Sequence, residues 1–150
     1  MQPTIVVVYV VQNGKYLLIR RSGAFLPGNW QMVAGKVEPN ETYVAGAVRE
    51  LKEETGLQAS RLYSADHVET FFIPTINKLF HAPVFVAFID ESQEVKLSPT
   101  EHDAHQWLSF EEALLRLEFS GQRESLKHID DQFVKKTPKE LFLIKQENYV

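Results

Sequence analysis

Three carboxylates crowd the stretch Arg49-Glu50-Leu51-Lys52-Glu53-Glu54. On a helix turning about 100° per residue, Glu53 and Glu54 project to either side of Glu50, one turn away. Their mean direction lies more than about a right angle from the apolar stripe Val44, Ala47, Val48, Leu51 and Thr55. While that stripe packs on a sheet, the three carboxylates are therefore expected to meet in one place. Like charges at such spacings repel by a few tenths of a kcal/mol (roughly 0.2–0.5) per pair unless something positive intervenes. Lys52 points elsewhere on the helix, and only Arg49 is placed to relieve Glu53. Carboxylate oxygens gathered this way suit Mg²⁺ or Mn²⁺, hard cations that prefer oxygen ligands. A solvated acidic helix face would produce the same bare Glu-x-x-Glu-Glu pattern, so the pattern needs a wider frame.

That frame is present. Gly35, Glu41, Arg49-Glu50-Leu51, Glu53-Glu54 and Gly56-Leu57 keep a fixed spacing, nine residue types over the 23 positions from Gly35 to Leu57. The arrangement resembles the Nudix box at every defining position. The resemblance implies an α+β protein with the Nudix fold, an α/β/α sandwich around a mixed β-sheet, with the box as loop–helix–loop. It implies hydrolysis of a nucleoside diphosphate linked to another moiety. It assigns Glu50, Glu53 and Glu54 as ligands of Mg²⁺ or Mn²⁺, helped by the backbone carbonyl of Ala34. Glu41 would support the site from the loop before the helix, Arg49 would orient a glutamate by ion pairing, and Gly35 would join the substrate-binding set. Metals in such a site polarise phosphoryl oxygens and activate water for in-line attack, leaving the protein mostly positioning and charge stabilisation. One departure is Asn40, where many relatives carry Gly; Asn is the next most tolerant residue of left-handed backbone, so the turn is expected to survive.

Further residues match outside the box. Thr100-Glu101-His102 with Trp107-Leu108-Ser109, and Trp30-Gln31, Val33, Gly35, Val37-Glu38 and Glu41, resemble the dihydroneopterin triphosphate and dATP pyrophosphohydrolase group. The resemblance implies that Glu101 is a general base or an extra metal ligand. His102 and His105 are each read as solvated or structural rather than catalytic, and their i, i+3 spacing, not on a helix, argues against a His–metal site. Trp30 is either core or the wall of a ring pocket. Arg20 and Arg21 are neighbours on a strand and face opposite sides, so at most one reaches the phosphates. Phe71, Phe72 and Phe80 are read as core and sheet surface.

The elements that must position these groups follow from periodicity and punctuation. Residues 4–12, rich in Val and Ile, read as a strand, Asn13-Gly14 as a hairpin turn, and 15–21 as the returning strand. Two glycines and a proline make 22–29 a loop, followed by a short strand at 30–34. Helical spacing marks 42–55, with Gly56 where a C-terminal cap belongs. Further strands are expected at 62–72 and 79–89, joined by a loop. Residues 98–105 read as a polar turn. Ser109 and Glu112 form a capping box opening a helix through Leu117, and 121–135 is a second amphipathic helix closed by Pro138. The tail either adds an edge strand or lies loose. With no internal linker, residues 1–150 read as one domain.

Composition narrows the function. The 150 residues are 44% apolar and 24% charged, contain no cysteine, and carry a net charge of −4. Lack of cysteine excludes a disulfide scaffold, a thiolate nucleophile and Cys-based zinc. The net acidity argues against a nucleic-acid partner, yet not against a single nucleotide, since bound cations bridge acidic protein to phosphate. The short apolar run near the N-terminus has no basic lead-in and cannot span a bilayer, so a cytoplasmic protein without a membrane partner is expected. Monomer and homodimer are equally compatible with the sequence. The expected activity is hydrolysis of a nucleotide or pterin triphosphate, releasing pyrophosphate or phosphate. The alternative is a ligand-sensing module without turnover, which the intact glutamate set and the lack of a DNA-binding motif disfavour.

Overall fold

A computed structural model describes residues 5–150, so Thr4, the first residue of the expected leading strand, lies outside the described residues. The Val-rich run Ile5–Gln12 forms β1 and Lys15–Arg21 forms β2. Between them Asn13 and Gly14 take φ of 53° and 75°, as a two-residue hairpin turn with matching strand twist requires. The strand expected at 30–34 is in fact two. Trp30–Gln31 (β3) pairs with β2, and Val33–Lys36 (β4) pairs with β1. Only the turn end of β1 pairs with β2, so its first half is left to bond β4.

Tyr43–Thr55 forms helix α1. Thr42 caps it by accepting the Ala45 N–H at 3.0 Å, and Gly56 closes it at φ 73°. Arg61–Ile73 (β5) and Lys78–Phe88 (β6) make a long hairpin whose register shifts between Ser64 and Val68. Strand β6 runs parallel to β1, which makes the sheet mixed. His102–Leu108 is a strand, β7, antiparallel to β2, so the polar turn expected through His105 ends sooner. Along β7 only His102 and Leu108 are buried, and without apolar alternation an edge strand is invisible to periodicity. Phe110–Arg116 (α2) opens on the Ser109–Glu112 capping box. Ser120–Ile129 (α3) passes at Asp130–Val134 into a π-helical turn rather than continuing as regular helix. There Asp130 accepts the Tyr16 hydroxyl at 2.7 Å. The tail returns as a short edge strand, Leu143–Ile144 (β8), on β5.

Strand alternation then divides the side chains between two faces. Val6, Val8, Leu17 and Ile19 pack on Ala47 and Leu51 of α1. Val7, Tyr9, Tyr16 and Leu18 pack on Leu126 and Ile129 of α3. The result is a three-layer α/β/α sandwich around a mixed sheet, the architecture that the box implied. Among the described residues no helix is long and apolar enough to cross a membrane.

Under α3 lies a buried carboxylate, Glu69, 3% exposed and bonded by the Tyr9 hydroxyl at 2.7 Å. Burial raises its pKa, with the Tyr9 and Ser125 hydrogen bonds opposing. In the unfolded chain Glu69 ionises near the ordinary value of about 4.3, while the folded state resists ionisation. Its contribution is thus fully present below that pH and lost as pH rises through the raised folded pKa. The stability of wild type minus that of Glu69→Gln should fall as pH is raised above the ordinary carboxyl value of about 4.3. Urea titrations at several pH values measure this, and a difference that rises with pH would reject the assignment.

Candidate active site

The rotation of α1 about its axis separates the three box glutamates. Relative to the centre of the apolar stripe, Glu54 lies about 75° away, Glu50 about 115°, and Glu53 nearly opposite. Accordingly Glu54 is 4% exposed and Glu50 9%, whereas the Glu53 side chain is 58% exposed. The three carboxylates thus differ in depth across a spread of about 100°, with Glu50 between the others: it shares Arg49 Nη1 with Glu53 and its carboxyl group meets that of Glu54. Glu50 reaches toward β4, where a Cβ on Gly35 would fall on its carboxyl group. The position needs glycine for this close approach. Gly35→Ala should therefore cost about 1–3 kcal/mol of stability through overpacking, with turnover impaired as Glu50 is displaced. Urea unfolding and kcat measure it; unchanged values of both would remove Gly35 from the site.

Arg49 holds the flank of the cluster. Its Nε and Nη2 donate to Glu41 at 2.7 and 2.9 Å, a bidentate pair, and Nη2 also donates to the Lys36 carbonyl at 2.8 Å. Nη1 donates to Glu50 at 2.8 Å and to Glu53 at 3.1 Å. Arg49 thus relieves Glu50 and Glu41 as well as Glu53. The guanidinium lowers the Glu41 pKa. Glu41 is locked from the other side by the Glu38 N–H at 3.0 Å, and Asn40 before it adopts φ 65°, as its left-handed tolerance allowed.

Glu54 sits deepest. The Ala34 N–H donates to its Oε1 at 3.4 Å. In an ideal strand a residue's N–H and C=O leave by the same edge, so the Ala34 carbonyl is expected on the edge that its N–H turns to Glu54. Burial first, then the charges of Glu50 and Glu101, push the Glu54 pKa far above the usual carboxylate range. Burial likewise raises Glu50, with Arg49 opposing. A pocket that suppresses its own carboxylate charges this way suits a cation, which would reverse the same effect. The loop carrying Glu101 hangs from the end of α1, through Lys96 N–H to the Thr55 carbonyl at 2.8 Å and Ser98 N–H to the Glu54 carbonyl at 3.3 Å. In consequence one donor atom each from Glu54, Glu101 and His102 lies within 4.8 Å of the others. His102, read from sequence as solvated or structural, is 1% exposed. Burial, then Arg21, lowers its pKa to about 4, so the imidazole is neutral at pH 7. Only a polar loop motif hinted at this, and no periodicity marks a lone inward histidine.

The remaining residues divide between the faces. Gln31 pairs with Ile19 and so lies on the α1 face, its amide 3.5 Å from His102 Nε2. By the same alternation Arg21 is on the α1 face, donating to the Phe25 carbonyl at 2.7 Å. Arg20 and Trp30 are on the other face. Arg20 pairs with Asp103 at 2.7 Å, and the guanidinium groups of Arg20 and Arg116 lie over the Trp30 ring, 5.7 and 4.9 Å from its centre. Both Arg20 and Trp30 lie on the face away from the glutamates, and Trp30 packs against the core there, one of its two expected places. An odd-numbered β2 residue faces α1, and an even-numbered one cannot.

The family model described as the NUDIX domain matches residues 1–129. An octanoyltransferase of Myxococcus xanthus is 35% identical over 117 residues, covering 77% of this chain. The chain spans only 32% of that longer protein's length. The CTP pyrophosphohydrolase of Escherichia coli (strain K12) is 34% identical over 113 residues, covering 73% of this chain and 78% of that protein. The structure of the E. coli dihydroneopterin triphosphate pyrophosphohydrolase superposes with a TM-score of 0.69. It is 22% identical and covers 84% of this chain and 93% of that one, a likeness of fold.

Proposed function

The chain belongs to the Nudix family, and on that premise we propose that residues 1–150 act as one cytoplasmic domain hydrolysing a phosphoanhydride bond in a nucleotide or pterin triphosphate. The observation that carries this is Glu54, a nearly buried carboxylate facing Glu50, Glu101 and the Ala34 backbone. Glu50, Glu53, Glu54 and the Ala34 carbonyl are the groups that would hold Mg²⁺ or Mn²⁺. Such a cation supplies charge neutralisation on the phosphates and a more acidic water. The chain's own part is positional. Arg49 fixes Glu50 and Glu53 from one side, and Glu41 fixes Arg49. Arg21, the arginine on the glutamate face, would meet substrate phosphates, while Arg20 is paired with Asp103. Exposed Glu101 either accepts the proton of the attacking water or adds a ligand, and both roles need its charge.

Glu101→Gln should lower kcat by about a hundredfold or more and leave KM nearly unchanged. Steady-state kinetics decide it, and retention of most activity would move Glu101 out of the chemistry. The function itself is tested with a panel of nucleoside triphosphates, nucleotide sugars, dinucleoside polyphosphates and dihydroneopterin triphosphate, with Mg²⁺, reading products by phosphorus NMR. Release of pyrophosphate or phosphate from a triphosphate is expected. No turnover across the panel would leave a binding module instead.

A further inference from the structure

His102 opens β7 opposite Arg21, next to the register shift between Arg20 and Arg21. The residue is 1% exposed, yet its Nδ1 has no hydrogen-bond partner, and Nε2 meets only the Gln31 amide at 3.5 Å. A buried polar atom left unpaired is costly, so in a folded protein it calls for a partner. The chemistry around it supplies one. A ring nitrogen of His102 shares a 4.8 Å neighbourhood with a carboxylate oxygen of Glu54 and one of Glu101. Donors each about 2.0–2.6 Å from one ion span a gap of that size with small side-chain adjustments.

We propose that His102 is a metal ligand, and that Glu54, Glu101 and His102 form a mixed nitrogen–oxygen site favouring a transition-metal dication over Mg²⁺. Carboxylates alone suit Mg²⁺, whereas an imidazole nitrogen adds affinity for Co²⁺, Ni²⁺ or Zn²⁺ and tolerates Mn²⁺. Gln31 completes the arrangement. With its carboxamide oxygen turned to Nε2–H, it fixes the ring and leaves the Nδ1 lone pair free. Metal-bound histidines ordinarily have their second nitrogen held in this way.

The inference rests on reading the glutamates as metal-binding, and its test separates the two. Mn²⁺ bound to the whole chain should show imidazole nitrogen modulation in pulsed EPR, and His102→Gln should abolish it. In calorimetric titrations the same variant should lower Co²⁺ affinity relative to Mg²⁺ by at least the tenfold that losing even an outer-shell partner typically brings. Nitrogen modulation that is absent from wild type, or persists in the variant, would overturn the assignment. Mg²⁺-supported hydrolysis without nitrogen coupling would overturn it too, and leave the glutamate reading standing. Where His102→Gln does not fold, wild type labelled with ¹⁵N-histidine serves instead. Of its five histidines, His102 must broaden first on substoichiometric Mn²⁺, and any other order refutes the proposal.

Discussion

Glu54→Gln should lower kcat by about a hundredfold or more while the fold stays intact. Losing one preorganised charge interaction in a transition state costs about 2.7–4 kcal/mol in comparable sites, and this residue is the most buried of the three box glutamates. Glutamine keeps the side-chain volume and an oxygen for the Ala34 N–H, so packing against β4 is preserved. With its pKa raised by burial and by Glu50 and Glu101, Glu54 is already held toward the neutral form without a cation, so glutamine loses little there. The melting temperature in chelator should therefore hold or rise while turnover collapses. That combination separates a charge-binding role from a structural one. Glu50→Gln and Glu53→Gln should impair turnover likewise, since Arg49 ties both carboxylates to one guanidinium. Wild-type rates in any two of the three variants would mean that the acidic face is only solvated surface.

Excess chelator should abolish turnover, with Mg²⁺ or Mn²⁺ restoring it and Ca²⁺ restoring little or none. Burial holds both Glu50 and Glu54 back from ionising, and Arg49 partners Glu50 while Glu54 has no positive partner of its own among the described residues. Ca²⁺ asks for 6–8 oxygens at about 2.3–2.6 Å, a looser and larger shell than one helix face and one strand edge supply. Binding to the folded state alone should also stabilise it, by about 2.7 kcal/mol at a hundredfold excess over Kd. A melt with and without Mg²⁺ gives that second readout. Undiminished turnover in chelator would reject the metal role whatever the melts show.

Local physics made much of this protein legible from its residues. The Asn13-Gly14 turn, the Thr42 and Gly56 caps of α1, the left-handed Asn40 and the Ser109–Glu112 capping box each depend on a few neighbouring residues. Helical period and spacing likewise located the glutamates and the glycine they need. What those signals could not settle was direction in space. Whether Glu54 or Glu53 turns inward depends on how α1 rolls against Val6, Val8 and Ile19. The separation of Arg21 from Arg20 and Trp30 depends on which sheet face α1 covers. The burial of His102 depends on β7 pairing with β2 across some eighty residues, and on a register shift there. Pairing between distant segments leaves no periodic trace in either segment alone. So the sequence determined which residues could do the chemistry, and only the tertiary packing decided which of them share one site.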